Sequence, residues 1–147
     1  MLLSHLKQEG YFRNITDLYQ IGIPDIVGCR FGFFYGLEVK SVKSIPEDGI
    51  CPRKSEHRFT KKQVEELKGI DKSGGLGVGI IICGKTLFFG LVSDINDEGQ
   101  MNCHKLQERG NVAKMKNKRW DLSNFFLTLE KEALSGAKRK GKNQVRK

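Results

Sequence analysis

Two carboxylates and a lysine are spaced for joint chemistry: Asp25, directly after Pro24, and Glu38-Val39-Lys40, which begins thirteen residues later. Between them lie two β-prone runs, Ile26-Val27-Gly28-Cys29 and Phe33-Phe34-Tyr35-Gly36-Leu37, divided by Arg30-Phe31-Gly32. Such runs around a Gly-containing turn predict a hairpin. With Phe31-Gly32 as a two-residue turn, Asp25 falls directly opposite Glu38. Alternation then sets Phe33, Tyr35, Leu37 and Val39 on one face and Phe34, Gly36, Glu38 and Lys40 on the other. Opposed like charges, with Cβ atoms about 4.5–5.5 Å apart, destabilise a plain sheet. A divalent cation would compensate them: Mg²⁺ takes hard oxygen ligands, acidifies water and steadies charge on a phosphoryl group. Lys40 would reach the same water or the phosphate. A slip of one residue in register dismantles this arrangement. Spacing alone leaves a second reading open, in which Asp25 caps a turn after Pro24 and Glu38 and Lys40 form an edge-strand ion pair worth about 0–1 kcal/mol.

The surrounding elements must hold that hairpin in place. Leu2, Leu3 and Leu6 recur at helical spacing until Gly10, predicting a short opening helix, and a connector with Tyr11, Phe12 and Leu18 follows. Residues 41–58 contain Pro46, Gly49 and Pro52 without periodicity and read as a loop long enough to be functional. Phe59-Thr60-Lys61-Lys62-Gln63-Val64 then carries a capping box, Thr60 to Gln63, and a hydrophobic staple, Phe59 with Val64. The helix it opens turns Val64, Leu67 and Ile70 inward and ends by Gly74-Gly75. Val78 to Cys83 and Thr86 to Val92, around Gly84-Lys85, predict a second hairpin, apolar enough on both sides to lie centrally in a sheet. Residues 94–119 resist assignment. Phe125, Phe126, Leu129 and Ala133 predict a closing helix with Asp121 or Ser123 as N-cap; a dimer surface is expected on the second hairpin or on this helix with Trp120, Phe125 and Phe126, unless these side chains cover the sheet. The order α-β-β-α-β-β-α argues an α/β domain over residues 1–134, a single mixed β-sheet flanked by helices, followed by a disordered basic tail over 135–147.

Charge points to a polyanionic partner. The chain of 147 residues carries a net +9, and six cations without an acid among them fall in its last ten residues, Lys138, Arg139 and Lys140 leading. Lysine and arginine gain affinity for nucleic acid by displacing condensed counterions. Arg53, Lys54, His57, Arg58, Lys61 and Lys62 cluster where the long loop meets its helix, and cations there oppose the helix dipole unless a phosphate relieves them. No apolar run reaches the roughly 20 residues that span a bilayer, and none suits a signal peptide, so the reading is a soluble, cytoplasmic protein without a membrane partner. Cys29, Cys51, Cys83 and Cys103 are widely separated and read as reduced thiols. Cys103-His104 matches no usual zinc spacing. Asp94, Asp97 and Glu98 are explained by turn chemistry around Asn96 and Gly99.

Taken together, Gly22-Ile23-Pro24-Asp25-Ile26-Val27, Leu37-Glu38-Val39-Lys40, Phe59-Thr60-Lys61-Lys62-Gln63 and Gly77-Val78-Gly79-Ile80-Ile81 resemble the PD-(D/E)xK nuclease superfamily, and within it VRR-NUC domains and the related phage and archaeal Holliday-junction resolvases. The resemblance covers residues 10–92, element order included. It implies a restriction-endonuclease-like core and a Mg²⁺-dependent deoxyribonuclease, with Mn²⁺ as substitute and no organic cofactor. Its DNA substrates would be junctions, flaps or nicks. It implies Asp25, Glu38 and the Val39 carbonyl as metal ligands, Lys40 as the residue that positions or activates water, and Gln63 beside them. Some members add an acid from the first helix, for which Glu9 is the candidate. A homodimer follows from the chemistry, since one site per chain cuts one strand and paired incisions call for two copies. The alternative is a non-catalytic nucleic-acid-binding module on the same fold.

Overall fold

The structure, a computed structural model, describes residues 2–15 and 24–145, the last ten of these by backbone alone. α1 (Leu2–Glu9) buries Leu6 and runs into β1 (Tyr11–Asn14), which pairs antiparallel with β2 (Ile26–Arg30). The sequence reading has only a connector at β1. Four residues with Phe12 alone buried give too little alternation to reveal a strand, and pairing with β2 supplies its order.

β2 and β3 (Phe33–Val42) form the expected hairpin in the expected register, Ile26↔Leu37 through Arg30↔Phe33. Phe31 and Gly32 both have positive φ, 49° and 84°, as a type I′ turn requires. α2 (Lys61–Lys72) then crosses over so that β5 (Leu76–Cys83) lies parallel to β3, with Glu38 beside Gly79 and Lys40 beside Ile81. Gly77 is the point of closest approach: a Cβ there would lie 2.3 Å from the Leu67 carbonyl oxygen, so glycine lets the helix settle onto the sheet. β6 (Thr86–Leu91) completes the second hairpin, and the sheet continues through β8 (Val112–Lys116) to β9 (Arg119–Trp120). The seven strands run in the order β1-β2-β3-β5-β6-β8-β9. This is a mixed sheet flanked by helices, consistent with the restriction-endonuclease-like core.

The stretches that resist assignment hold elements too short to announce themselves. β4 (Ile50–Cys51) pairs with β7 (Met101–Asn102), and α3 (Cys103–Glu108) follows β7 directly. The acidic turn is built as its composition suggests: Asn96 Oδ1 accepts from the N–H groups of Glu98 and Gln100, both at 3.0 Å.

Two cores cover the two faces. Tyr35, Leu37, Val78, Ile80, Leu87 and Phe89 pack beneath α1 and α4 (Ser123–Val145), while Phe59, Leu67, Ile81, Phe88, Met101 and Leu106 pack under α2 and α3. Trp120, Phe125 and Phe126 are buried in the first core, so they cover the sheet and cannot form a dimer surface. Asp121 accepts from the Ser123 N–H at 3.3 Å and its hydroxyl at 2.8 Å at the start of α4. Where the sequence reading has a disordered tail from residue 135, the backbone of α4 continues to Val145. That stretch has three Lys, one Arg and no proline, and it extends an already nucleated helix despite Gly136 and Gly141. Among the described residues no helix is long and apolar enough to cross a membrane.

Candidate active site

The β2–β3 ladder ends at Ile26↔Leu37, and the next pair in line is Asp25 and Glu38. Asp25, exposed, turns its side chain onto β3, where Oδ2 accepts the Val39 N–H at 3.0 Å. Its own carbonyl accepts from the Ile15 N–H at 3.0 Å, so β1, β2 and β3 converge on this residue. Rather than a turn after Pro24, Asp25 caps the open edge of β3, with its carboxylate beside Glu38. The N–H and C=O of one residue leave an extended strand on the same side. The Val39 carbonyl is therefore directed to the side where Asp25 sits.

Glu38 is on the face shared with Lys40 and is only 2% exposed. Gln63, on the first turn of α2, donates from Nε2 to Glu38 Oε1 at 2.8 Å. The same side chain completes the capping box, its Oε1 accepting the Thr60 N–H at 2.9 Å while Thr60 Oγ1 accepts the Gln63 N–H at 3.1 Å. Capping and site contact are thus one conformation of one residue: the cap fixes the amide so that its NH₂ meets the glutamate. Lys40 Nζ lies 4.0 Å from Glu38 Oε1 and 5.7 Å from the centre of the Phe59 ring, a cation–π placement that holds the ammonium near the carboxylate.

Glu38 Oε2, by contrast, has no hydrogen-bond partner among the described residues. Burial, then the neighbouring Asp25 charge and a hydrogen bond that the protonated carboxyl makes to Asp25, push the Glu38 carboxyl up from 4.5 to about 8, against the opposing pull of Lys40. A buried carboxyl whose second oxygen meets no donor, next to a second carboxylate, therefore keeps a proton up to about pH 8, and a cation could take that proton's place. Two hard oxygen donors and a directed backbone carbonyl fit a divalent cation of the Mg²⁺ type.

Glu9 is exposed at the end of α1, and among the described residues no group of three or more Asp, Glu, His or Cys side chains is gathered for a metal. Gly22 and Ile23 of the motif lie outside the described residues, as do the side chains of Lys138, Arg139 and Lys140. The loop cations separate by role. Arg53 pairs with Asp48 at 2.6 Å, and Arg58 donates to the carbonyls of Pro52 and Arg53, at 3.3 and 2.7 Å, tying the loop to itself. Lys54, His57, Lys61 and Lys62 stand exposed around the start of α2. Phe59, which the sequence reading uses only as a staple, also carries the Lys40 contact; its place just before the N-cap was the one signal for it.

No family model matches the chain, and no curated protein does either. Among solved structures, it superimposes on Hjc, a Holliday junction resolvase of the archaeal hyperthermophile Archaeoglobus fulgidus. The TM-score is 0.55 at 16% identity, over 74% of this chain and 87% of that one, a likeness of fold.

Proposed function

We propose that the chain is a metal-dependent DNA endonuclease. The observation that carries this reading is the buried Glu38 carboxylate, oriented by Gln63 yet with an oxygen unpartnered beside Asp25. Asp25, Glu38 and the Val39 carbonyl would hold Mg²⁺ or Mn²⁺. When bound, the cation supplies the charge that makes water nucleophilic and stabilises the crowded phosphorus. The protein's own groups do the positioning. Asp25 is fixed through the Val39 N–H, Glu38 through the Gln63 amide, and Lys40 Nζ is held by Phe59 where it can hydrogen-bond the attacking water or a phosphate oxygen. Water then attacks phosphorus in line and the 3′-oxygen leaves. Lys54, His57, Lys61 and Lys62 would contact the flanking backbone, and Lys138, Arg139 and Lys140 would add affinity without sequence choice.

The fold shared with a Holliday junction resolvase makes four-way DNA the first substrate to try, and two strands cut per junction favour a homodimer. Labelled linear, flapped and four-way DNA incubated with Mg²⁺, Mn²⁺ or EDTA tests the proposal. Cleavage that requires the metal and Lys40 supports it. Binding without cleavage under every condition replaces it with a non-catalytic nucleic-acid-binding module.

A further inference from the structure

Beyond the catalytic lysine, where β3 ends and the long loop begins, lies a cavity of about 510 Å³ that the chemistry above does not use. Its lining includes Lys43, Arg53, Lys54 and His57, with the apolar walls of Pro46 and Pro52, and no carboxylate. The loop that forms it is tightly held. The Pro52 carbonyl accepts from buried Gln100 Nε2 at 2.9 Å, the Gly49 carbonyl accepts from the Cys103 N–H at 2.8 Å, and His104 Nε2 bonds the Glu47 carbonyl at 2.9 Å. A segment that sequence reads as irregular is therefore a preorganised wall, and preorganisation lowers the ordering entropy that binding must overcome. Asp48 neutralises Arg53 in part, leaving Lys43 and Lys54 in excess.

These features select a ligand class. Concentrated cations call for an anion, and rigid proline walls call for a flat, weakly polar body. A volume within the range of small-ligand sites, about 300–1,000 Å³, admits one unit of a polymer. The position selects further: Val42, in the lining, is two residues from Lys40, about 7 Å along an extended strand. That is one nucleotide's step from the phosphate that Lys40 would serve.

We propose that this cavity binds a single unstacked nucleotide, its phosphate among the lysines and arginine and its base against the prolines. This rests on the nuclease reading and deepens it: the preferred substrate then has a base free to leave the stack next to the cut, as at a junction, flap or nick. A free mononucleotide has the same chemistry, and the two sources can be separated.

The test uses the full chain in EDTA, titrated by NMR with dAMP, deoxyadenosine and inorganic phosphate. dAMP should bind at least tenfold more tightly than either fragment and shift the signals of Ser44, Lys54 and His57. Ser44→Trp, which fills the cavity from an exposed position without changing charge, and the double variant Arg53→Ala/Lys54→Ala should each weaken dAMP at least tenfold. A second arm moves one abasic position along a cleavable strand, and cleavage should fall at least tenfold only when the gap lies one or two nucleotides from the cut. That pattern assigns the cavity to the substrate strand; dAMP binding with no positional effect assigns it to free mononucleotides and overturns the strand proposal. Phosphate binding as tight as dAMP, or shifts confined to Glu38 and Lys40, overturns the cavity outright. If no DNA is cut but dAMP binds at the cavity, the nuclease reading fails alone; if Ser44→Trp cuts DNA at the full rate and dAMP does not bind, the cavity fails alone.

Discussion

Replacing Glu38 with glutamine should make the metal-free protein more stable at neutral and alkaline pH while destroying the proposed site. The folded-state carboxyl is raised to about 8 from its ordinary 4.5, chiefly by burial and then by Asp25. Between those values the folded chain holds a proton that the unfolded chain has released. Stability therefore falls as pH rises through this window, and the loss is complete above about 8. At about 1.4 kcal/mol per tenfold change in proton affinity the ceiling is near 5 kcal/mol; water that reaches the mouth of the site reduces this to about 2–3 kcal/mol. Glutamine keeps the shape and can still accept from Gln63, but it carries no charge to repel Asp25. Urea denaturation of both proteins in EDTA at pH 5, 6.5 and 8 reads the effect. The variant should match the wild type within about 0.5 kcal/mol at pH 5 and exceed it by about 2 kcal/mol at pH 8. The same shift makes cation binding compete with a proton, so Mg²⁺ affinity should rise about tenfold per pH unit up to 8, with about one proton released in calorimetry. Parallel stability curves for the two proteins would refute the reasoning.

Lys40→Ala should lower cleavage by roughly 10²–10⁴-fold while moving the unfolding free energy by less than about 1 kcal/mol, because its contacts are one long ion pair and one ring. Gly77→Ala should destabilise by about 2–3 kcal/mol in urea, since the new methyl meets the Leu67 backbone, and should also reduce cleavage by pushing α2 and Gln63 away from Glu38. Removing residues 137–147 should flatten the salt dependence of DNA binding by about 0.9 in log–log slope for each phosphate that is no longer neutralised, and should leave turnover at saturating DNA unchanged. Light scattering on four-way DNA should report a protein mass near twice 16.7 kDa; a single chain's mass would point to a nickase.

The central hairpin was legible because a two-residue turn fixes register and register fixes faces. Phe31-Gly32 therefore determined that Glu38 and Lys40 share a side and that Asp25 comes last in line. Gln63 was legible as a cap, and the structure adds the glutamate that its other atom meets. What sequence could not show was long-range pairing of very short pieces. Ile50–Cys51 and Met101–Asn102 become strands only because each finds the other about a third of the chain away, and no periodicity exists in two residues. The cavity behind Lys40 was illegible for the same reason, since its wall depends on Gln100 and Cys103 reaching back to Pro52 and Gly49.

Strand β3 itself shows why one acidic cluster is read as chemistry and another as scaffolding. On the face beneath α4, Glu130 receives the Tyr35 hydroxyl at 2.7 Å and Arg30 Nη1 at 2.6 and 2.7 Å. The Arg30 guanidinium lies 4.6 and 4.7 Å from the centres of the Phe31 and Phe126 rings. Burial and the bond to Glu130 push the Tyr35 phenol up, so it stays a donor at every working pH. Among the described residues the buried Arg30 Nε lacks a hydrogen-bond partner there, on an arginine whose charge Glu130 answers. On the opposite face the balance is reversed: Glu38 is more deeply buried, Lys40 stands at 4.0 Å rather than in hydrogen-bond contact, and an oxygen rather than a single N–H is left over. Removing partners from a buried charge is expensive, and satisfying them with hydrogen bonds, as Glu130 does, is open to any sequence. A glutamic acid that keeps its proton up to about pH 8 beside a second carboxylate, while Gln63 and Val39 fix both in position, is what the proposed cation would require: a place where a metal can take over from that proton.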